Sequence, residues 1–337
     1  MNTGLSAQQN AHVIVAEITR DAAPEELWRP RVFRESPGAH QVAELDGREV
    51  RSAVREWTDP ERIVADQDAA GTDLVVLCPL VVTLPYDVEP DEGARRARLQ
   101  NEGLARLVQE RPDRLAALGA VPLQDPVLAA NMLRSLMADG VLRGVEVAAS
   151  VRGAFLGDDA FEPFWAAAEE TGALVFIHPT TRGFEAPVFT EHYLWNAVGN
   201  PLETTVSAAH LVMTGTMERH PGLRVLLAHG GGAILVLRGR LRHAHSFQPQ
   251  ARSRLVESPE DSLRRFFYDT VVHDAGLLRA LVETVGADRV LLGSDHPFDM
   301  GDLRPAETVR AAKLDAADES AVLGGNASRL LGLEVAR

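Results

Sequence analysis

Leu174-Val-Phe-Ile-His178-Pro179 is a short apolar run that stops on a histidine followed by a proline. Apolar runs stop on polar residues likewise at Val225-Leu-Leu-Ala-His229-Gly-Gly-Gly232, where glycines follow the histidine, and at Val290-Leu-Leu-Gly-Ser-Asp295-His296-Pro297, where an aspartate precedes the His-Pro. Continuous rather than alternating apolar residues suit strands covered on both faces, as in a parallel sheet. Working outward, the expected strands are Val13 to Glu17, Leu74 to Cys78, Leu115 to Val121, Gly144 to Val147, Leu174 to His178, Val225 to His229, Phe266 to Val271 and Val290 to Asp295. Between them lie amphipathic segments with apolar residues three and four apart: Ala94 to Gln109, Pro126 to Ala138, Phe161 to Thr171, Leu202 to Arg219 and Gly276 to Val285. Strands alternating with helices predict an α/β protein, and eight repeats predict a (β/α)8 TIM-like barrel. An open doubly wound sheet is the competing architecture.

Composition narrows the chemistry. The 337 residues carry 34 basic and 48 acidic side chains, a formal charge of −14, which disfavours nucleic acid as a partner. Lys313 is the only lysine and lies near the C-terminus, so a lysine Schiff base, a P-loop or a metal pair bridged by a modified lysine is not expected. One cysteine, Cys78, excludes an internal disulfide and a multi-thiolate zinc site. No run of about 18 apolar residues marks a membrane span, and Met1 to Ala11 lacks the character of a secretion signal, so the expectation is a soluble cytoplasmic protein. No composition break divides residues 1–337, which are read as one domain. Residues 22–60, with Pro24, Pro30, Pro37 and the turn Asp46-Gly47, read as an insertion after the first strand that contributes to the active-site mouth. Thr180 to Pro201 is a second long connection.

In a barrel the C-terminal strand ends converge on one mouth, where His178, His229 and Asp295 could supply metal ligands and a general base. Each has a plainer reading alone: a loop histidine bonded to backbone, or an aspartate capping the next helix. Three consecutive glycines after His229 are harder to explain as an ordinary turn, because they let backbone amides approach a ligand. His210, His220, His243 and His245 fall in helical or helix-end segments, and His192 and His273 on loops.

These motifs resemble the amidohydrolase superfamily, and within it the non-oxidative decarboxylase branch typified by 2-amino-3-carboxymuconate-6-semialdehyde decarboxylase. The likeness rests on Asn200-Pro-Leu-Glu-Thr-Thr205, Glu218-Arg-His-Pro-Gly-Leu-Arg-Val225, Ala228-His-Gly-Gly-Gly-Ala233, Tyr268-Asp-Thr-Val-Val-His-Asp274 and Leu292-Gly-Ser-Asp-His-Pro-Phe298. The resemblance implies a distorted (β/α)8 barrel, His178 and Asp295 as ligands of a divalent metal, zinc or alternatively manganese, and His229 as acid/base with Asp295 beside it. It nominates Arg51, in Asp46-Gly-Arg-Glu-Val-Arg51, for a substrate carboxylate, and implies a homodimer. Trp195 and Phe298 are candidate apolar walls of the pocket, with core packing as the alternative.

The sequence departs from the family at strand one. A His-x-His is expected there, whereas Val15 and Glu17 occupy the two positions; a second register would use His12 and Ile14, but places His12 ahead of the apolar run and low in the barrel. Glu17, His178 and Asp295 then form the expected ligand set. Gln248, before Pro249, stands where the family has a partner-subunit arginine. The reading is a metal-assisted decarboxylase of a small conjugated or aromatic carboxylic acid. The alternatives are a hydrolase or hydratase of the same superfamily, and a metal-free member that binds or cyclises a small acid.

Overall fold

The computed structural model describes residues 60–333 continuously, together with residue 28 and the segments 7–12, 31–34, 41–45 and 48–53. Thirteen strands occur among the described residues: β1 Ala7–His12, β2 Arg31–Arg34, β3 Gln41–Leu45, β4 Arg48–Ala53, β5 Thr72–Cys78, β6 Leu115–Ala117, β7 Gly144–Ala148, β8 Ser150–Val151, β9 Ala154–Phe155, β10 Leu174–His178, β11 Arg224–Leu227, β12 Phe267–Asp269 and β13 Val290–Leu291.

Eight of them are parallel and neighbour one another in chain order. β1, β5 and β6 form one ladder, and β7, β10, β11, β12 and β13 form another. A parallel bridge from Gly119 to Val145 joins the two, with Gly119 donating to the Gly144 carbonyl and Glu146 donating back to Gly119, both at 2.9 Å. This is the strand order of a (β/α)8 barrel, though no ladder between β13 and β1 is found among the described residues.

Side chains alternate across these strands. Leu74, Val76, Cys78, Leu174, Phe176, Leu226, Ala228 and Leu291 pack into one cluster, while their neighbours Val145, Val147, Val175, Ile177, Val225 and Leu227 pack with Phe164, Trp165 and Leu211 of the surrounding helices. His178 follows Leu174 and Phe176 at the strand period, so it ends β10 on the inner face.

Helices follow the strands with recognisable start and stop chemistry. Asp125 accepts the amides of Val127 and Leu128 at the head of Pro126–Asp139, and Gly140 ends that helix in the left-handed conformation. The expected helix Leu202 to Arg219 is two, Asn200–Met213 and Thr216–Arg219, broken where Gly215 adopts φ +74°. No helix among the described residues is long and apolar enough to cross a membrane.

The first strand begins earlier than expected. Ala7–His12 pairs with β5, from Ala7 opposite Thr72 to His12 opposite Cys78, whereas the expected span Val13 to Glu17 lies outside the described residues. The edge of β5 offers a row of backbone donors and acceptors, and main-chain pairing of this kind accepts a polar segment. His12 is thereby the last residue of the strand and does not sit low in the barrel. Glu17 and Val15 lie outside the described residues. Within residues 22–60, β2, β3 and β4 form an antiparallel sheet in which Leu45 pairs with Arg48 across Asp46-Gly47.

A shielded ion pair holds the segment before β12. Arg265 donates to Glu257 through both Nη atoms, Nη2 to Oε2 at 2.6 Å, and Ser262 Oγ donates to the same carboxylate. The Arg265 guanidinium, ahead of the opposing cost of burial, holds Glu257 below its ordinary pKa of 4.5. A depressed folded-state pKa gives stability that is present above the unfolded value and is lost as pH falls through the folded one. Glu257→Gln is therefore expected to cost about 1–3 kcal/mol near pH 7 and much less in acid. Urea melts at the two pH values check this, and an equal loss at both would contradict it.

Candidate active site

The site forms where three strands end. His178 is the final residue of β10, His229 lies two residues beyond β11, and Asp295 lies four residues beyond β13. His178 Nε2 is 4.0 Å from Asp295 Oδ1, and His229 Nε2 is 3.9 Å from Asp295 Oδ2. The two imidazoles meet edge to face, with centroids 5.5 Å apart. One ligand atom from each residue lies within 4.8 Å of the others. The structure thus brings together the three residues that the strand ends pointed to.

Backbone geometry holds each of them. The His178 Nδ1 stands 3.0 Å from the Pro179 carbonyl. A carbonyl only accepts, so Nδ1 carries the proton and Nε2 keeps its lone pair on the side of Asp295. His229 and Asp295 adopt left-handed φ of +56° and +53°, sparsely populated for such residues and typical of functional loops. Asp269, the last residue of β12, clamps the His229 turn by accepting its amide at 3.0 Å and those of Gly230 at 2.8 Å and Val271 at 3.0 Å. Burial raises the Asp269 pKa, opposed by the charge of His229 and by these amides. Gly232 closes the turn at φ +64°, where a Cβ would lie 2.0 Å from the Pro201 carbonyl oxygen.

The long connection after β10 is tied down by Glu203. This buried carboxylate, on the helix Asn200–Met213, accepts the amides of Thr180 and Phe184, the latter at 3.2 Å. Glu203 and Asp269 both lie in stretches that carry the family resemblance, yet their roles were not visible in the sequence. An acidic residue at the end of an apolar strand was the available signal for Asp269. Glu146 was also missed: it is fully buried in β7, opposite Phe176, and its charge adds to burial in raising the Cys78 thiol.

Among the other nominated residues, Trp195 packs edge to face against Tyr193, with centroids 5.0 Å apart. Burial raises the Tyr193 hydroxyl, with further contributions from the charges of Asp299 and Asp295, so this pair stands near the site carboxylate. Phe298 packs against the cluster of Ile63, Leu77 and Leu80. Arg51 lies on β4, with its side chain outside the described residues, as is Glu17 entirely. His220 bonds Glu162 and Glu169 at 2.6 and 2.8 Å, and His192 is exposed beside Glu191.

The donor set fits a divalent cation. Metal–ligand bonds of about 2.0–2.2 Å leave neighbouring ligand atoms roughly 3–4 Å apart, and His178 Nε2 and Asp295 Oδ1 stand 4.0 Å apart. An imidazole nitrogen and a carboxylate suit zinc or manganese, and the fixed tautomer of His178 presents the nitrogen such an ion requires.

Residues 86–333 match the family described as Amidohydrolase. The chain is 30% identical over 292 residues to 2-amino-3-carboxymuconate-6-semialdehyde decarboxylase of Dictyostelium discoideum, covering 86% of this chain and 81% of the relative. It is 30% identical over 250 residues to 6-methylsalicylic acid decarboxylase of Penicillium expansum, covering 72% and 76%. The crystal structure of 5-carboxyvanillate decarboxylase from Sphingomonas paucimobilis superposes with a TM-score of 0.75 at 27% identity, covering 82% of this chain and 84% of that one.

Proposed function

We infer that this chain, which belongs to the amidohydrolase family and within it to the decarboxylase branch, is a non-oxidative carboxy-lyase that releases carbon dioxide from a small aromatic or conjugated acid. The observation that carries the reading is the convergence of His178, His229 and Asp295 within 4.8 Å at the strand ends. A divalent metal belongs to this activity. His178 and Asp295 would hold it, with zinc as the sequence-based choice and manganese named in the neighbouring carboxyvanillate and dihydroxybenzoate decarboxylase structures. When bound, such an ion supplies positive charge that orients the acid and accepts electron density from it.

The chain's own groups then handle the proton. His229, as imidazolium, gives the Nε2 proton to the carbon bearing the carboxylate. The bond from that carbon to the carboxylate breaks, carbon dioxide leaves, and its electron pair stays with the ring or conjugated system. His229 recovers a proton from solvent. Asp295 Oδ2 stands 3.9 Å from Nε2 of that histidine. Asp269 and the glycine run hold His229 in its left-handed turn, so little reorganisation accompanies the transfer.

Arg51, by its motif, is assigned to a retained carboxylate, with Trp195 and Phe298 as apolar walls and residues 22–60 as part of the mouth of a single domain. A homodimer fits the exposed Val236 and Phe247 on the helix Ile234–Phe247. A cytoplasmic setting fits the lone buried thiol of Cys78.

Carbon dioxide measured from a panel of ortho-hydroxylated aromatic acids, with protein purified without chelator, tests the function. One equivalent of carbon dioxide per decarboxylated product is expected. Turnover of lactones or amides with no carbon dioxide would replace the lyase with a hydrolase.

A further inference from the structure

A cavity of about 510 Å³ opens beside the candidate active site, and two segments of chain meet along its rim. One carries Asp87, between β5 and the helix Pro90–Glu110; the other runs from Thr180, two residues beyond His178, to Glu185. Arg182 Nη2 donates to Asp87 Oδ2 at 2.8 Å and so joins the two segments. The aspartate side chain is 60% exposed and the arginine 36%, which puts the pair at the solvent end of the cavity.

The two sides are held differently. Gln124 Nε2 donates to the carbonyls of Pro85 at 2.6 Å and Val88 at 3.0 Å. Arg152 donates through Nε to the Tyr86 carbonyl at 2.7 Å and through Nη2 to the Val88 carbonyl at 2.8 Å. With the carbonyls on both sides of it taken, Asp87 stands on a fixed post. On the other side Glu203 accepts the amides of Thr180 and Phe184, and Arg182 lies between these two anchors. Thr181, Phe184 and Glu185 there adopt left-handed φ of +64°, +58° and +56°. Branched and bulky residues are rarely found in that region, so this segment carries backbone strain, which persists only where surrounding contacts impose it.

We propose that the Asp87–Arg182 pair is the latch of a gate: residues 181–185 are the moving leaf, Asp87 is the post, and an aromatic acid reaches and leaves the strand-end site past them. The inference rests on the carboxy-lyase reading for what passes, and adds to it how passage is controlled. Phe184, on the cavity wall and 40% exposed, travels with the leaf, so opening widens the cavity where a ring enters. An exposed ion pair is weak and screened by salt, which suits a contact that breaks and re-forms at each passage.

The leaf is tested first without a ligand. Amide hydrogen exchange in the peptide containing residues 181–185 is expected to quicken about fivefold in Asp87→Asn, in Arg182→Gln and in wild type at high salt, with exchange elsewhere unchanged. The double variant should match either single one, because both remove the same contact, and Arg182→Lys should keep part of the protection. Stopped-flow fluorescence with benzoate, on the full chain purified without chelator, then reads passage. In Asp87→Asn, association and dissociation are both expected to be about fivefold faster at an unchanged Kd, whereas loss of a ligand contact would change Kd. Exchange equal in wild type and Asp87→Asn, or faster exchange with benzoate rates unchanged, overturns the gate and leaves the lyase standing. Faster exchange in a protein that binds no benzoate and releases no carbon dioxide from any acid upholds the latch and refutes the reading it rests on.

Discussion

His229→Asn is expected to reduce carbon dioxide release by about 10³-fold while thermal stability and metal content change little. Asparagine is chosen because it tolerates the left-handed backbone at this position better than most residues, so the turn clamped by Asp269 persists. Its amide cannot hold and release a proton near neutral pH, so the step from Nε2 to the substrate carbon is lost. Binding of the acid should survive, because the charges proposed to hold it lie elsewhere. Turnover measured against wild type, with a melting curve and elemental analysis of the same preparation, decides the matter. Activity within tenfold of wild type removes His229 as the proton donor.

The second large effect is on metal retention. Asp295→Asn keeps the shape of the side chain and tolerates φ +53°, but replaces an anionic ligand with a neutral amide. His178→Ala removes the nitrogen whose tautomer the Pro179 carbonyl sets. Each is expected to weaken metal affinity by more than about 100-fold, beyond what loss of a supporting hydrogen bond costs. Elemental analysis after dialysis should find about one zinc or manganese per wild-type chain and almost none in either variant. Added metal should raise the melting temperature of wild type alone, because an ion bound only by the folded state stabilises it by mass action. Glu17→Ala in parallel reports whether that carboxylate completes the set. Metal in both Asp295→Asn and His178→Ala at wild-type levels would place the ion elsewhere, and a wild type empty under all conditions would favour the metal-free alternative.

Strand ends were legible because buried parallel strands are short, apolar on both faces and stop abruptly. That pattern located seven of the eight barrel strands, and it marked His178, His229 and Asp295 as polar residues at those stops. It did not mark Ala7–His12, a polar segment held by pairing with β5, and the expected span Val13 to Glu17 lies outside the described residues. It failed also at Gly215, where one left-handed residue divides a continuous apolar periodicity into two helices. Glu203 was quoted in a motif without a role, because its work is to accept amides 23 and 19 residues earlier in the chain.

Alternation of apolar runs with amphipathic helices, the glycines after His229 and the lone lysine are properties of the chain's order. They were enough to point to a barrel, to a decarboxylase branch of the amidohydrolases and to His178, His229 and Asp295 as polar residues at strand ends, because periodicity and residue type act locally. Distances of 3.9 and 4.0 Å among those residues, the clamp of Asp269 and the cavity shared by Tyr86, Arg152 and Phe184 were decided only by tertiary structure. Each of these joins side chains or backbone from segments remote in sequence, and the parallel pairing of neighbouring strands is what sets how near they come.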